Sequence, residues 1–195
     1  MGILGLIAAI LFLLFIQWSR INKSEKNENV KQMEKMEKDI LKNLIENQNL
    51  NYELIEESSD GYCYKMVFQT EKGNFDVVDT LQKQEPHYVA LYTYFPSEIP
   101  KGNRLKVSEF LTYLNYGLHI GNFEMNMSNG KLRVKVSFCY DNSGTMTDYL
   151  FDLYLKNSYR LLECYFDGIM TVIYSDKTSQ NVYEELTNQL YVSLN

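Results

Sequence analysis

The chain has 195 residues with a formal net charge of -6, and 45% of its residues are hydrophobic. A chain of this length has room for one globular domain with appendages. The acidic balance argues against a broad nucleic-acid-binding surface, because phosphate backbones are bound by clustered Lys and Arg. We therefore expect one domain and no nucleic-acid partner.

The first predicted element is an apolar helix at the start of the chain. The segment GILGLIAAILFLLFIQW, residues 2–18, holds no charged residue and no Pro. As a helix its roughly 17 residues reach about 26 Å, the short end of a membrane span. It lacks the basic start and the small-x-small cleavage site of a signal peptide. The sequence favours an uncleaved transmembrane anchor over residues 1–19, with a cleaved signal peptide and a buried core helix as alternatives.

The charges that flank this segment predict its orientation. No Lys or Arg precedes it, whereas Arg20, Lys23 and Lys26 follow it. Because basic flanks stay on the cytoplasmic side of a span, we expect a single-pass protein of the cell (inner) membrane whose domain faces the cytoplasm. Residues 20–29 are polar and lack hydrophobic periodicity, which predicts a tether.

The predicted domain, residues 30–195, begins with a helix and four strands. Apolar residues at helical spacing predict the helix from Val30 to Gln48. Alternating patterns predict strands over residues 50–57, 62–70, 75–82 and 87–95. The turns between them include residues 58–61 and 72–74, which hold the Gly, Asn and Asp that tight turns favour. Together these strands predict an antiparallel meander.

A second helix and a hairpin are predicted next. Pro96 ends the fourth strand, and helical spacing then predicts a helix that ends near Gly117 or Gly121. The hairpin has a predicted type I′ turn at Asn129-Gly130, because both residue types tolerate positive φ. Its two strands cover residues 122–127 and 132–140.

Two C-terminal helices complete the predicted domain. A long helix is capped by Thr145 or Thr147, and a last short helix begins at Ser179 as its cap. The predicted fold class is therefore α+β. It is an antiparallel sheet packed against helices, in the order α-ββββ-α-ββ-α-α, preceded by one N-terminal transmembrane helix.

This element order and two stretches of sequence carry a family resemblance. The stretches are EFLTYLNYGLHIGNFEMNMSNGKLRVKVSF and YDNSGTMTDYLFDLYLKNSYRLLECY. Over residues 30–190 the chain resembles the YbjN-like domain family of proposed bacterial sensory transduction regulators, which is similar in fold to type III secretion chaperones. The matching positions are Leu114-Asn115, Gly121-Asn122-Phe123, the turn at Gly130 and the threonine-led long helix.

The resemblance implies a protein-binding or regulatory module in which catalysis is not established. A homodimer is among the forms that it implies, and it transfers no binding residues to this chain. The N-terminal span is a departure of this chain from the family.

The histidines and cysteines do not form a recognisable reactive site. His87 and His119 lack the spacing of metal ligands or of a general base with its partner. Cys63, Cys139 and Cys164 are odd in number and widely spaced, which fits neither a disulfide framework nor a metal knuckle. We interpret them as buried or half-buried thiols in a reducing compartment.

The acidic residues give a similar result. Asp148 and Asp152 share one face near the start of the long helix, where the helix dipole favours them, and a divalent-ion site is the alternative. Asp76 and Asp79 have odd spacing on a strand and therefore point to opposite faces. We predict no enzyme, no cofactor and no metal.

The fourth predicted strand has one aliphatic and one tyrosine face. Val89, Leu91 and Phe95 form the first, and Tyr88, Tyr92 and Tyr94 form the second. The tyrosine face is predicted either as a covered sheet surface or as a platform for a partner segment, widened by Tyr64.

Two functions from different classes follow. The leading hypothesis is a membrane-tethered protein- or peptide-binding module, chaperone-like or regulatory, that uses groove or sheet-edge contacts and has no catalytic activity. The alternative is a small-ligand or lipid sensor with a pocket between the sheet and the long C-terminal helix.

Overall fold

The computed structural model describes residues 17, 19–26, 28, 42–47, 50–58, 61–82, 88–139 and 147–193. The chain divides into two compact units, residues 1–43 and 44–195. In the first unit, residues 17, 19–26 and 28 are helical and exposed, so the predicted tether, residues 20–29, has helical backbone at positions 20–26 and 28. The predicted anchor lies outside the described residues except for positions 17 and 19. No described helix is long and apolar enough to cross a membrane.

The second unit contains a six-stranded antiparallel sheet. The strands are β1 (Tyr52–Glu57), β2 (Gly61–Thr70), β3 (Gly73–Gln82), β4 (Tyr88–Tyr94), β5 (Asn122–Met125) and β6 (Leu132–Cys139). Their order across the sheet is β1-β2-β3-β4-β6-β5, and every neighbouring pair is antiparallel. The meander and the hairpin predicted from the sequence are therefore confirmed, and the hairpin extends the same sheet.

The described helices have the predicted order. They are α1 (residues 42–47), α2 (Arg104–Gly117), α3 (Asp148–Tyr174) and α4 (Ser179–Ser193), with a short 3-10 turn at Lys101–Asn103. The remainder of the predicted helix from Val30 to Gln48 lies outside the described residues. The chain is thus α+β, with helices and an antiparallel sheet, as the sequence predicts.

One face of the sheet, here called the helix-covered face, carries the core. Alternate residues of each strand point to it, because side chains alternate along a strand. Its buried members are Tyr62, Tyr64, Met66, Phe75, Val77, Asp79, Leu81, Val89, Leu91, Thr93, Phe123, Leu132, Val134 and Val136. Helix α3 packs on this face: the rings of Phe138 and Tyr154 stack at 4.5 Å, and Thr93 donates a buried hydrogen bond to Ser158 at 3.0 Å.

Two local features of the sequence determine where helix α3 begins and how closely it packs against neighbouring helices. Of the two predicted caps, Thr147 is the one observed, and its hydroxyl oxygen accepts a hydrogen bond from the Leu150 N–H at 3.2 Å. Gly168 is buried, and a Cβ there would collide with the Leu186 side chain of α4 and lie 3.0 Å from the Phe110 ring of α2. The glycine therefore permits the close approach of α3 to both helices.

The turn of the β5–β6 hairpin differs from the prediction. Met125 pairs with Leu132, so the loop covers residues 126–131 and is longer than a two-residue type I′ turn. Gly130 has a φ of 82°, and a Cβ there would collide with the backbone oxygen of Ile99. The Arg104 guanidinium donates hydrogen bonds to the carbonyl oxygens of Met127, Ser128 and Ile99. These long-range contacts fix the wider loop.

Candidate functional site

The sheet has a second face, here called the open face, which points away from α3. Its side chains come from the alternate strand positions that do not enter the core. They are Cys63, Lys65, Val67, Asp76, Val78, Thr80, Tyr88, Ala90, Tyr92, Tyr94, Asn122, Glu124, Arg133, Lys135, Ser137 and Cys139. This face is the candidate site, because the long helix α3 packs on the other face.

Tyr88, Tyr92 and Tyr94, here called the tyrosine row, lie on the open face along β4. All three are partly exposed, whereas Val89 and Leu91 on the same strand are buried on the helix-covered face. The predicted division of this strand into two faces is therefore observed. Ala90 lies on the open face between Tyr88 and Tyr92 and is fully buried.

Tyr64 does not belong to this surface, and the predicted widening is wrong. The register pairs Tyr64 with Asp79, and Asp79 with Leu91, so all three share the helix-covered face. Tyr64 is only 2% exposed, and its ring makes an edge-on contact with Tyr52 at 5.8 Å. The two faces alternate along each strand, and the register with β3 places Tyr64 on the opposite face from the tyrosine row.

Arg133 holds two members of the tyrosine row in place. The centre of its guanidinium lies 4.0 Å from the centroid of the Tyr92 ring, and its Nη1 donates to the Tyr94 hydroxyl at 3.4 Å. Nε and Nη2 donate to Glu124 Oε2 at 2.9 and 2.8 Å. The arrangement is an Arg fixed between a carboxylate and an aromatic ring, with cation–π attraction added to an ion pair.

The electrostatics of Glu124 follow from these contacts. Burial alone would raise its pKa, but hydrogen bonds from Arg133 and Asn122 and the positive charges of Arg133 and Lys135 outweigh burial. The pKa of Glu124 is therefore lowered. The carboxylate is ionised at neutral pH and keeps Arg133 oriented over the tyrosine row.

A cleft lies at each end of the tyrosine row. The first, here called the Tyr88 cleft, has a volume of about 210 Å³ and is lined by Glu56, Ser58, Gly61, Tyr62, Cys63, Thr80, Leu81 and Tyr88. The second, the Tyr94 cleft, has about 190 Å³ and is lined by Tyr94, Phe95, Pro96, Ser97, Glu98, Lys131 and Leu132. Each cleft therefore joins one tyrosine of the row to a glutamate.

The two edges of the sheet differ. At the β5 edge, the Asn115 side chain donates to the carbonyl oxygen of Phe123 at 3.0 Å and accepts from its N–H at 2.7 Å. This amide occupies the backbone groups that another strand would use. At the β1 edge, residues 53–57 are all exposed, and the strand has a bulge between Leu54 and Glu56. The β1 edge is thus the more accessible of the two.

Asp79 is the unusual residue that the sequence reasoning missed. It is fully buried, and neither carboxylate oxygen has a hydrogen-bond partner among the described residues. Burial raises the pKa of Asp79 well above its ordinary value. The hydroxyl of Tyr64, which pairs with Asp79 in the register, also lacks a hydrogen-bond partner within the described ranges, and burial raises the pKa of Tyr64 to about 12. The signal was present, because Asp79 alternates with the apolar Val77 and Leu81.

The predicted histidine and cysteine positions do not converge. His119 is exposed, and His87 lies outside the described residues. Cys63 is half-buried as predicted, but Cys139 and Cys164 are exposed, which corrects the burial expected for them. Cys139 is the last residue of β6, and Cys164 lies in α3.

The acidic pair on α3 makes ordinary surface contacts. The Asn47 side-chain amide donates to both carboxylate oxygens of Asp148 at 3.2 Å, and Lys156 pairs with Asp152 at 2.6 Å. Asp76 lies on the open face and pairs with Lys65 at 2.8 Å, opposite to the buried Asp79. In the described part of the chain, no group of three or more metal-binding side chains is present.

Comparisons with protein-family models and with curated proteins find no match to this chain.

Proposed function

We propose that this chain is a membrane-tethered module that binds another protein or a peptide through the tyrosine row and has no catalytic activity. The proposal includes the anchor over residues 1–19 and a domain that faces the cytoplasm, as the basic flank of the apolar segment predicts. Membership of a YbjN-like family belongs to the same proposal, and the order of helices and strands supports it.

The observation that carries the proposal is the partial exposure of Tyr88, Tyr92 and Tyr94 on one face of β4. Tyrosine offers a large apolar ring and a hydrogen-bonding tip, and it is enriched among the residues that dominate binding energy. Arg133 already restrains two of these rings. A partner therefore meets a surface whose side chains lose little further rotational freedom on binding.

The second candidate is a sensor of a small ligand or lipid. The observation that favours it is the buried pair Asp79 and Tyr64. Their side-chain oxygens have no hydrogen-bond partner among the residues that the structure describes, and they lie on the helix-covered face, where such a pocket was predicted. The two clefts next to the tyrosine row are smaller than the about 300–1,000 Å³ that is usual for small-molecule sites. They also lie outside the region between the sheet and α3. We therefore keep protein or peptide binding as the leading proposal.

The test compares tyrosines inside and outside the row in the full-length chain. We would replace Tyr88, Tyr92 and Tyr94 by Ser one at a time and measure thermal stability together with the partner co-purified from native membranes. Tyr116, which is 94% exposed on α2, supplies the matched control variant Tyr116→Ser. We expect each row variant to keep its Tm within a few degrees and to lose partner.

Two results would contradict the proposal. Row variants that retain partner as well as Tyr116→Ser would show that the row is not the binding surface. Row variants that lose about 3–5 kcal/mol of stability, as truncation of a buried aromatic does, would show that the row is part of the core.

A further inference from the structure

One end of the domain, here called the Leu105 end, carries three exposed apolar side chains. Leu105, the second residue of α2, is 78% exposed, and Tyr174, the last residue of α3, is 75% exposed. Met127 lies in the loop of the β5–β6 hairpin and is also exposed. Burial stabilises large apolar side chains, so the stability of the fold does not account for their exposure.

Hydrogen bonds join the three segments that carry these side chains. The Asn103 side chain donates to the carbonyl oxygen of Ile173 at 2.7 Å, so the start of α2 lies against the end of α3. Arg104 Nη1 donates to the carbonyl oxygen of Met127 at 3.1 Å, so the hairpin loop lies there too. The exposed apolar residues therefore belong to adjoining segments, as in an interaction surface.

The Leu105 end is also basic. The segment 99–106, IPKGNRLK, holds three cations and no acidic residue, and a fourth cation lies in the adjoining hairpin loop. These four are Lys101, Arg104, Lys106 and Lys131. The acidic residues nearest along these segments are Glu98 and Asp176. Positive charge thus predominates at this end, although the net charge of the whole chain is -6.

Internal interactions do not account for these cations. Lys101 and Lys131 are exposed and make no side-chain hydrogen bond or ion pair with the described part of the chain. Arg104 and Lys106 donate to uncharged backbone carbonyls. The helix dipole favours acidic residues at the start of a helix, yet the first turn of α2 has none. Elsewhere in the domain, cations with a carboxylate oxygen within 3.6 Å include Lys65, Lys135 and Lys156.

Protruding apolar side chains beside unpaired cations match the interfacial zone of a bilayer that contains anionic lipid. Leu and Tyr side chains enter the boundary between headgroups and acyl chains, while Lys and Arg bind anionic headgroups. A bilayer requires no complementary groove, whereas a protein partner requires a matching shape. The anchor proposed for residues 1–19 also raises the effective concentration of lipid at the domain, so a weak contact is sufficient.

We propose that the Leu105 end docks on an anionic membrane surface, with Leu105, Met127 and Tyr174 in the interface and the four cations on lipid headgroups. This inference rests on the membrane anchor of the proposed function and not on the tyrosine row. Strand β4 continues from Tyr94 into the segment that docks, so the tyrosine row extends away from the bilayer. Its open face is then accessible to a cytoplasmic partner.

The experiment places a fluorescent reporter at the Leu105 end of the full-length chain. Trp18 is the single tryptophan of the chain, so Leu105→Trp is made in a Trp18→Phe background. The control in that background is Tyr116→Trp, at a position that is 94% exposed and roughly 16 Å further along α2. Each variant is reconstituted into vesicles of brominated phosphatidylcholine, alone or with about 30% phosphatidylserine. Quenching of tryptophan emission by bromine is measured, and thermal melts in detergent establish that the variants are folded.

We expect the emission of Leu105→Trp to fall about twofold when phosphatidylserine is present, because the side chain then reaches the acyl-chain boundary. Phosphatidylcholine alone should quench it little, and Tyr116→Trp should be quenched little in either vesicle.

The role of charge is tested by a double change in the Leu105→Trp chain. Lys101→Gln, Lys131→Gln should remove most of the quenching, because it removes two cations without breaking a side-chain contact. The matched control Lys65→Gln, Lys156→Gln changes the net charge equally, on β2 and in the first half of α3. It should leave the quenching in place.

Several results would overturn the inference. They are quenching that is absent in all vesicles, equal without phosphatidylserine, or retained after the loss of Lys101 and Lys131. A photoreactive benzophenone group at position 105 that captures protein and no lipid in native membranes would assign this surface to a protein partner. Failure of the proposed anchor is distinguishable, because alkaline carbonate would then release the full-length chain from the vesicles. Failure of the tyrosine row appears separately, as partner capture that no row variant changes.

Discussion

Tyr64 and Tyr92 belong to the same sheet but have opposite surroundings. Tyr64 lies on the helix-covered face, is 2% exposed and has a hydroxyl that finds no hydrogen-bond partner in the described part of the chain. Tyr92 lies on the open face, is partly exposed and has an Arg guanidinium 4.0 Å from its ring centroid. The alternation of side chains along a strand and the register between strands decide this difference, and residue type does not.

The largest expected effect is on stability, and it separates the two faces. Tyr64→Ala removes a buried ring and should lower the free energy of unfolding by about 3–5 kcal/mol. Tyr92→Ala removes a partly exposed ring and its cation–π contact, for which we expect about 0.5–1 kcal/mol. Urea unfolding of both variants measures the difference. Equal losses would show that the open face is packed like the core.

The pH dependence of stability also separates the two faces, through the buried carboxyl group of Asp79. Its ordinary pKa is 3.8, and burial raises the pKa in the folded protein well above that value. Between these two pKa values the folded protein binds more protons than the unfolded protein, so the free energy of unfolding falls as pH rises, by about 1.4 kcal/mol per pH unit. The contribution of Asp79 to the free energy of unfolding is fully present below pH 3.8, its ordinary pKa. This contribution is lost as pH rises through the raised pKa of the folded protein.

The variant Asp79→Asn should therefore remove this slope and be more stable than the wild type at pH 7. Asp76→Asn is the matched control, because Asp76 lies on the open face and is exposed. It should leave the slope in place. Urea unfolding at a series of pH values measures both, and an unchanged slope in Asp79→Asn would mean that its carboxylate is not the titrating group.

We expect a smaller effect on stability at the β5 edge of the sheet. Asn115→Ala should leave the N–H and carbonyl of the buried Phe123 without their side-chain partner and cost about 1–3 kcal/mol, the penalty for buried polar groups left unpaired. Asn181→Ala on the exposed surface of α4 should stay within about 0.5 kcal/mol. Hydrogen exchange at the Phe123 amide should accelerate in the first variant alone. Unchanged exchange would show that Asn115 does not protect this edge.

The smallest expected effect concerns Glu124 and Arg133. Both side chains are about one third exposed, so Glu124→Gln should cost about 0–1 kcal/mol. The stabilisation from Glu124 is present above its ordinary pKa of 4.5 and is lost as pH falls through its lowered folded pKa. The difference from wild type should therefore vanish in acid. A difference that persists there would indicate a packing effect without a charge contribution.

The sequence predicted those features that depend on local patterns. Alternation identified the two faces of β4, and the threonine cap identified the start of α3. The assignment of Tyr64 failed because it requires the register between distant strands, which alternation within one strand does not contain. The prediction of a type I′ turn was wrong because Gly130 packs against Ile99, and the contacts of Arg104 hold a wider loop.

The candidate site was predictable only in part. The tyrosine row follows from the spacing within β4, but the position of Arg133 over Tyr92 depends on the pairing of β4 with β6. The Tyr88 cleft is formed by β1, β2, β3 and β4 together. Such a site exists only after the sheet has assembled, so no single stretch of sequence predicts it.

The measurement that tests the central claim most directly is photocrosslinking from the tyrosine row in native membranes. A benzophenone-bearing phenylalanine would replace Tyr94 in the full-length chain, and the same group would replace Tyr116 on α2 as the control. If the tyrosine row is the binding surface, we expect a covalent adduct with a partner from position 94 and none from position 116. Adducts from position 116 alone, or equal adducts from both positions, would contradict the claim that the tyrosine row is the binding surface.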